Sequence, residues 1–338
     1  HLTNVLAHAA ASALVCLLAA RLTSPAIGTL TGVLFALHPV HIEPVAFTSG
    51  RVDVIAAVCM LGAVLLFLPG TRGRTLASAA CFGLALLMKE MAITLPAVLL
   101  ILAAARPAPT LGLRTRLAPV LGRLLPHAVV LAVYGLLRLQ VGVPQLLAGK
   151  DADAADPLVR TLTSLATLAR YVQLDLFLLE PTPFYEGRLA TTLWHAWVLL
   201  GIAALAGTVG LLAWSRRRAP AVFIGLAWFL VTLLPVANLV PIPGVRDAAL
   251  AERYLYVPSV GTCLALAAGA GRLAAWAGGR AASERGLTAV LLVVSIALYA
   301  PVTLYWTPVW MNNETLYRQM IRRAPEAAFP HISLAGEL

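Results

Sequence analysis

Three polar clusters interrupt an otherwise apolar chain, and each holds groups that could bind or transfer a charged substrate. The first is the stretch 38–53, His38-Pro-Val-His-Ile-Glu-Pro-Val-Ala-Phe-Thr-Ser-Gly-Arg-Val-Asp53. It offers two carboxylates, Glu43 and Asp53, either of which could take a proton from an attacking hydroxyl. Arg51 adds a planar cation, and His38 and His41 add imidazoles. The second cluster is Lys89-Glu90, set between two apolar runs. A lysine there suits a phosphate, as a compact charge with mobile donors. The third runs from Arg246-Asp247 to Tyr256 and contains Glu252-Arg253-Tyr254. An arginine can clamp a phosphate or carboxylate through two parallel hydrogen bonds.

Each cluster also has a plainer reading. The 38–53 stretch could be a loop whose charges pair with one another. Lys89 and Glu90 could be neighbours within one long helix, although a lysine at mid-bilayer costs about 2.5–3.5 kcal/mol. Arg253 with Tyr254 and Tyr256 could be an interfacial anchor. Two further groups, Leu168-Ala-Arg-Tyr171 and Phe184-Tyr-Glu186, fit interface packing as well as a site. His38 and His41 invite a zinc site, but Pro39 separates them and no Cys or third His is near. No metal ligands are assigned; a divalent cation is left open. His1, Asn4 and His8 share one helix face and read as hydrogen-bonded helix contacts. His127 and His195 read as boundary residues.

The elements that must position these groups follow from composition. The 338 residues are 60% hydrophobic and 12% charged, whereas soluble domains carry about 25% charged residues. The chain is therefore expected to be an all-helical polytopic membrane protein. Its apolar runs fit helices, and the period-two alternation of a transmembrane barrel is absent. The net charge of +10 would suit nucleic acid in a soluble protein. Here the arginines sit in short loops, so the positive-inside rule accounts for them, and no nucleic-acid partner is expected. The four cysteines (16, 59, 81, 263) lie within apolar runs and read as core residues.

Apolar runs are expected at 2–22, 26–37, 52–68, 76–88, 91–105, 124–139, 197–214, 221–239, 258–276 and 287–305. That gives about ten spans. Residues 158–179 contain Arg160, Arg170, Gln173 and Asp175, so they are expected to be re-entrant or interfacial. Charge parity puts Arg72, Arg74, Arg106, Arg114, Arg116 and Arg216 to Arg218 on the cytoplasmic side. The segments 38–53, 89–90, 141–191, 240–257 and 307–338 fall outside. Trp194, Trp197, Tyr305, Trp306 and Trp310 would form the outer aromatic belt. The tail, 307–338, reads as a water-soluble helical region, distinct from the membrane domain at 1–306. The start at His1, on an apolar run, suggests a piece of a longer protein. The high Ala, Arg, Leu and Gly content suggests a GC-rich bacterial gene, hence an inner membrane.

Five motifs carry a family resemblance. They are HPVHIEPVAFTSGRVDVIAA (38–57), LALLMKEMAITLPAVLL (84–100), LARYVQLDLFLLEP (168–181), WFLVTLLPVANLVPI (228–242) and AERYLYVPSVG (251–261). The chain resembles the transmembrane and tetratricopeptide-repeat (TMTC-type) O-mannosyltransferases and their bacterial relatives. The resemblance implies a GT-C fold and transfer of mannose from a polyprenyl-phosphate donor to Ser or Thr hydroxyls of an acceptor protein. It makes the tail an entry into tetratricopeptide-like repeats. It also places the catalytic acid on an outer loop upstream of His1, so the chain alone is expected to be inactive. By the same resemblance Lys89 sits where a lysine lies near the lipid phosphate. Arg253 and Arg51 are assigned to that phosphate with it, and Glu43 and Asp53 are secondary candidates for the acid. His38, His41, Glu90, Tyr171, Asn238, Glu252, Tyr254 and Tyr256 are expected to line the cleft. The competing readings are a transporter, another transferase of lipid-linked glycans, or a membrane anchor for the repeats. No inverted repeat supports the transporter.

Overall fold

The structure, a computed structural model, describes residues 1–105, 113–141, 156–177, 181–185, 189–237, 250–276 and 281–337. Asn238, Arg246, Asp247 and Glu186 lie outside the described residues. Every element among the described residues is helical, as expected for a helical polytopic protein.

Helices α1 (Leu2–Leu22) and α2 (Pro25–Leu37) form an antiparallel pair. Ser24 caps α2, its hydroxyl oxygen accepting from the Ile27 N–H at 3.3 Å, with Pro25 at the first helical position. Pro39 stops α2. A 3₁₀ turn (Pro39–His41), a five-residue helix α3 (Ile42–Ala46) and a second 3₁₀ turn (Thr48–Gly50) follow. Helix α4 (Arg51–Phe67) then runs back through the middle of the bundle. Its best apolar stretch is 61% buried, against 11% for residues 196–218 and 6% for 288–310. So α4 is an inner helix and the other two present their apolar faces outward.

The chain continues through α5 (Arg72–Met88), α6 (Leu95–Ala105), α7 (Leu113–Arg123) and α8 (Leu125–Gln140). A long amphipathic helix follows, α9 (Pro157–Phe177), then α10 (Ala196–Arg218) and α11 (Pro220–Leu233). Helix α12 (Pro258–Trp276) and α13 (Ala281–Trp306) complete the bundle, and α14 (Asn313–Arg323) packs on α15 (Ala328–Glu337) as a short tail. Among the described residues four stretches are long and apolar enough to cross a membrane, or up to six if two bent pairs each count as one span. Two shorter apolar helices, Glu90–Ala105 and Pro220–Val236, lie beside them. Helix α9 is not among these.

Exposed Leu199, Leu200, Ile202, Leu205 and Val209 on α10, and Val290, Val293, Ile296 and Leu298 on α13, form apolar faces that suit hydrocarbon. Inside, small residues let backbones touch. A Cβ at Gly225 would collide with the Gly261 carbonyl oxygen, and one at Gly261 with that of Gly225. This close α11–α12 crossing is the kind that packs helices within lipid.

Lys89 and Glu90 do not lie within one long helix. Helix α5 ends at Met88, Lys89 is extended (φ −152°, ψ 129°), and Glu90–Thr94 form a 3₁₀ turn before α6. The break puts the lysine at the end of the bundle where the 38–53 segment lies.

Candidate functional site

At that end, two ion pairs stand around the ring of Tyr254. Lys89 Nζ lies 3.1 Å from Asp53 Oδ1. Arg253 donates from a terminal guanidinium nitrogen to Glu43 Oε1 at 2.7 Å, and its backbone N–H donates to Oε2 at 3.0 Å. The Lys89 ammonium is 5.6 Å from the Tyr254 ring centroid and the Arg253 guanidinium 5.2 Å, so one ring contacts both cations. The three polar clusters of the sequence therefore meet in one place. Glu43 and Asp53 are buried, whereas Arg253 and Lys89 keep 35% and 16% of their side chains exposed. The carboxylates thus sit behind and the cations in front, each with N–H donors beyond the bond it makes to its carboxylate.

Local structure fixes this arrangement. The Asn4 side-chain amide donates to the carbonyls of Val45 (3.2 Å) and Phe47 (3.0 Å), tying the start of α1 to the end of α3. Gly50 packs directly on Pro44; a Cβ there would strike the Pro44 carbonyl oxygen. That contact folds the 3₁₀ turn against α3 and brings Asp53, in the first turn of α4, alongside Glu43. Sequence reasoning placed Asn4 on a contact face but could not assign its partners.

The histidines are structural. His38 Nε2 donates to the Asp175 carbonyl at 2.8 Å, while its Nδ1 accepts from the Val40 N–H. His41 Nδ1 lies 2.7 Å from the Phe35 carbonyl and its Nε2 2.9 Å from Ser259 Oγ. His8 bridges Tyr256 Oη and the Ala36 carbonyl. Both nitrogens of each ring are engaged within the fold, and no group of three metal-ligating side chains occurs among the described residues. His38 and His41 also border a cavity of about 560 Å³, together with Ile42, Val45, Ala46 and Trp310. Helix α3 therefore turns Glu43 toward the ion pairs and its apolar residues toward the cavity.

The other candidate residues fall at different depths. Tyr171 and Tyr256 are fully buried, so they form the floor of the site and not its lining. Tyr171 packs with Val40, Leu174, Phe229, Leu233 and Leu255, which is how α9 braces the site. Arg51 is exposed, its Nε donating to the Thr48 carbonyl at 3.1 Å; it caps the turn and makes no ion pair among the described residues. Glu90 is exposed and 3.8 Å from Arg138.

Glu252 is fully buried beside the Arg253–Glu43 pair. Its Oε1 accepts from the Thr182 N–H at 2.8 Å and from the Tyr185 hydroxyl at 2.6 Å, binding the 181–185 segment to the site. Burial first, then the nearby Glu43 charge, push this carboxyl up to about 8. A carboxyl with a raised folded-state value stabilises the fold least where it must ionise. Stability is full below the ordinary value of 4.5 and falls as pH rises to about 8. The thermal midpoint of the protein is thus expected to drop between those pH values, and Glu252→Gln should flatten that slope. An unchanged slope in the variant would remove Glu252 as its source. Tyr185 as a partner of Glu252 was not legible, since nothing in the spacing of 185 and 252 joins them.

The fold and site define a polytopic helical membrane protein with a cluster of ion pairs at one end of its bundle. Comparison with curated proteins finds partial relatives. Residues of this chain are 28% identical over 155 positions to human "Protein O-mannosyl-transferase TMTC1", covering 44% of this chain and 17% of that protein. They are 39% identical over 108 positions to human "Protein O-mannosyl-transferase TMTC2", covering 29% and 13%. A third relative, Drosophila melanogaster "Protein O-mannosyl-transferase Tmtc1", is 47% identical over 66 positions, 19% of this chain and 8% of that one. The chain is thus similar, at modest identity, to parts of these TMTC proteins, and it spans less than a fifth of the length of the curated relatives it matches. No family model and no solved structure matches it.

Proposed function

We propose that this chain is the donor-binding part of a membrane glycosyltransferase. It would move a sugar, by kinship mannose, from a polyprenyl-phosphate carrier to Ser or Thr hydroxyls of a protein on the extracytoplasmic side. The observation that carries this reading is the pair of cations, Lys89 and Arg253, held around Tyr254 by buried carboxylates. Two such donors can grip one phosphate from two sides. The apolar cavity behind α3 suits part of an isoprenoid chain, and the ion pairs suit its head group.

In the reaction the acceptor oxygen bonds to the sugar's anomeric carbon as the bond from that carbon to the phosphate oxygen breaks. The hydroxyl proton passes to a carboxylate, and the polyprenyl phosphate leaves with the bonding electrons. Lys89 and Arg253 stabilise the charge that builds on this leaving group. Glu43 and Asp53 are engaged with those cations, which makes them positioning residues; the proton acceptor is then the separate acid that family resemblance implies.

Lys89→Ala in the intact protein should lower transfer from a polyprenyl-phospho-mannose donor by about 10²-fold or more, with Lys89→Arg retaining part of the rate. Transfer at the normal rate in the alanine variant would strip Lys89 of this role.

A further inference from the structure

The last membrane-crossing stretch, Thr288–Trp310, ends in aromatic residues and is followed at once by the tail. Asn312 caps α14, its side-chain oxygen accepting from the Thr315 N–H at 2.8 Å, and the chain turns back there. The turn brings the basic end of α14 beside the end of the span: the Arg323 guanidinium lies over the Trp306 ring, 5.6 Å from its centroid. Between the two elements is a cleft of about 570 Å³ lined by Tyr305, Trp306, Val309, Gln319, Arg322 and Arg323. None of the described residues that line it is a carboxylate. The acid on the same helix, Glu314, is paired with Arg318 at 2.8 Å, one turn away from the basic end.

An arginine pair at a helix C-terminus can simply offset the helix dipole. That does not require a cleft, nor a tryptophan and a tyrosine standing at the end of a membrane span. Trp and Tyr settle at head-group level, so the cleft lies at the depth where lipid phosphates lie. Its two guanidinium groups, one amide and two aromatic rings match an anionic head group with a phosphate to clamp and a hydrated glycerol or sugar edge to cover.

We infer that this cleft binds the head group of an anionic phospholipid of the surrounding bilayer, and so docks the tail helices 313–323 and 328–337 against the membrane. It is separate from the Lys89–Arg253 ion pairs and does not depend on the transferase reading. The choice of a bilayer lipid over a soluble phosphate rests on the position of Tyr305 and Trp306 at the end of a span.

Tryptophan quenching tests it. The intact protein is placed in phosphatidylcholine bilayers containing a minor share of phosphatidylglycerol, with bromine carried by one lipid or the other. The Trp306 signal is taken as the difference between the protein and its Trp306→Phe variant. Brominated phosphatidylglycerol should quench that signal on the order of tenfold more, per mole of lipid, than brominated phosphatidylcholine. The excess should vanish in an Arg322→Gln, Arg323→Gln double variant, and in the unmodified protein at high salt, which screens exposed charge. Equal quenching by the two lipids overturns the inference. So does an excess that persists at high salt, or one that soluble glycerol phosphate abolishes at low concentration.

Discussion

Arg253→Ala is expected to abolish sugar transfer and to destabilise the protein by about 2–4 kcal/mol. Two effects add. The variant loses one of the two cations facing the proposed phosphate, and it strands Glu43, whose side chain is 5% exposed and whose Oε1 then has no cation. The cost falls below that of a fully buried pair because Arg253 itself is 35% exposed. Arg253→Lys restores the charge but not the two-point contact, so it should recover most of the stability and little of the activity. A Glu43→Gln, Arg253→Gln double variant separates the effects: stability near normal, since no unpaired charge remains, and transfer still absent. Thermal unfolding beside a transfer assay reads both. Normal transfer by Arg253→Ala would exclude it from the site.

Gly50→Ala is expected to cost about 10²-fold in activity with a smaller loss of stability. The methyl group would run into the Pro44 carbonyl oxygen, which is backbone and cannot swing aside. Either the 3₁₀ turn opens or α3 moves, and both displace Glu43 relative to Asp53. The two ion pairs then no longer face the same ring. The Asn4 amide, which holds the Val45 and Phe47 carbonyls, resists that movement, so the strain falls on the turn. The effect should appear as lower kcat with α-helical content unchanged by circular dichroism. Normal kcat in this variant would show that the loop tolerates the shift and does not set the geometry.

The helices were legible because desolvation dictates them. The apolar runs 2–22 and 258–276 are helices at those bounds, and the breaks at Pro39 and Lys89 fall where chain stiffness and charge forbid a continuous span. The meeting of the three polar clusters at one end of the bundle followed from charge parity. Which carboxylate holds which cation was not legible. Glu43 and Arg253 are 210 positions apart, and their contact depends on how α3 meets the 3₁₀ turn Glu252–Leu255, which no local pattern encodes. The same holds for Glu252 and Tyr185. The histidines were ambiguous for another reason: an imidazole bonded to backbone carbonyls and one poised for chemistry look alike until both ring nitrogens are placed. Tyr171, expected to line the cleft, is turned inward by α9 onto Phe229 and Leu255.

The central claim is that Lys89 and Arg253 act together on one phosphate. The direct measurement is the affinity of the intact protein for polyprenyl phosphate and for the uncharged polyprenol, in the unmodified form and in Lys89→Gln, Arg253→Gln and the double variant. Each single change should cost the phosphate at least about tenfold and leave the alcohol unaffected. The double variant should lose less than the two losses multiplied, because groups sharing one ligand are coupled. Losses that multiply independently, or phosphate affinity that matches the alcohol's in every form, would contradict it.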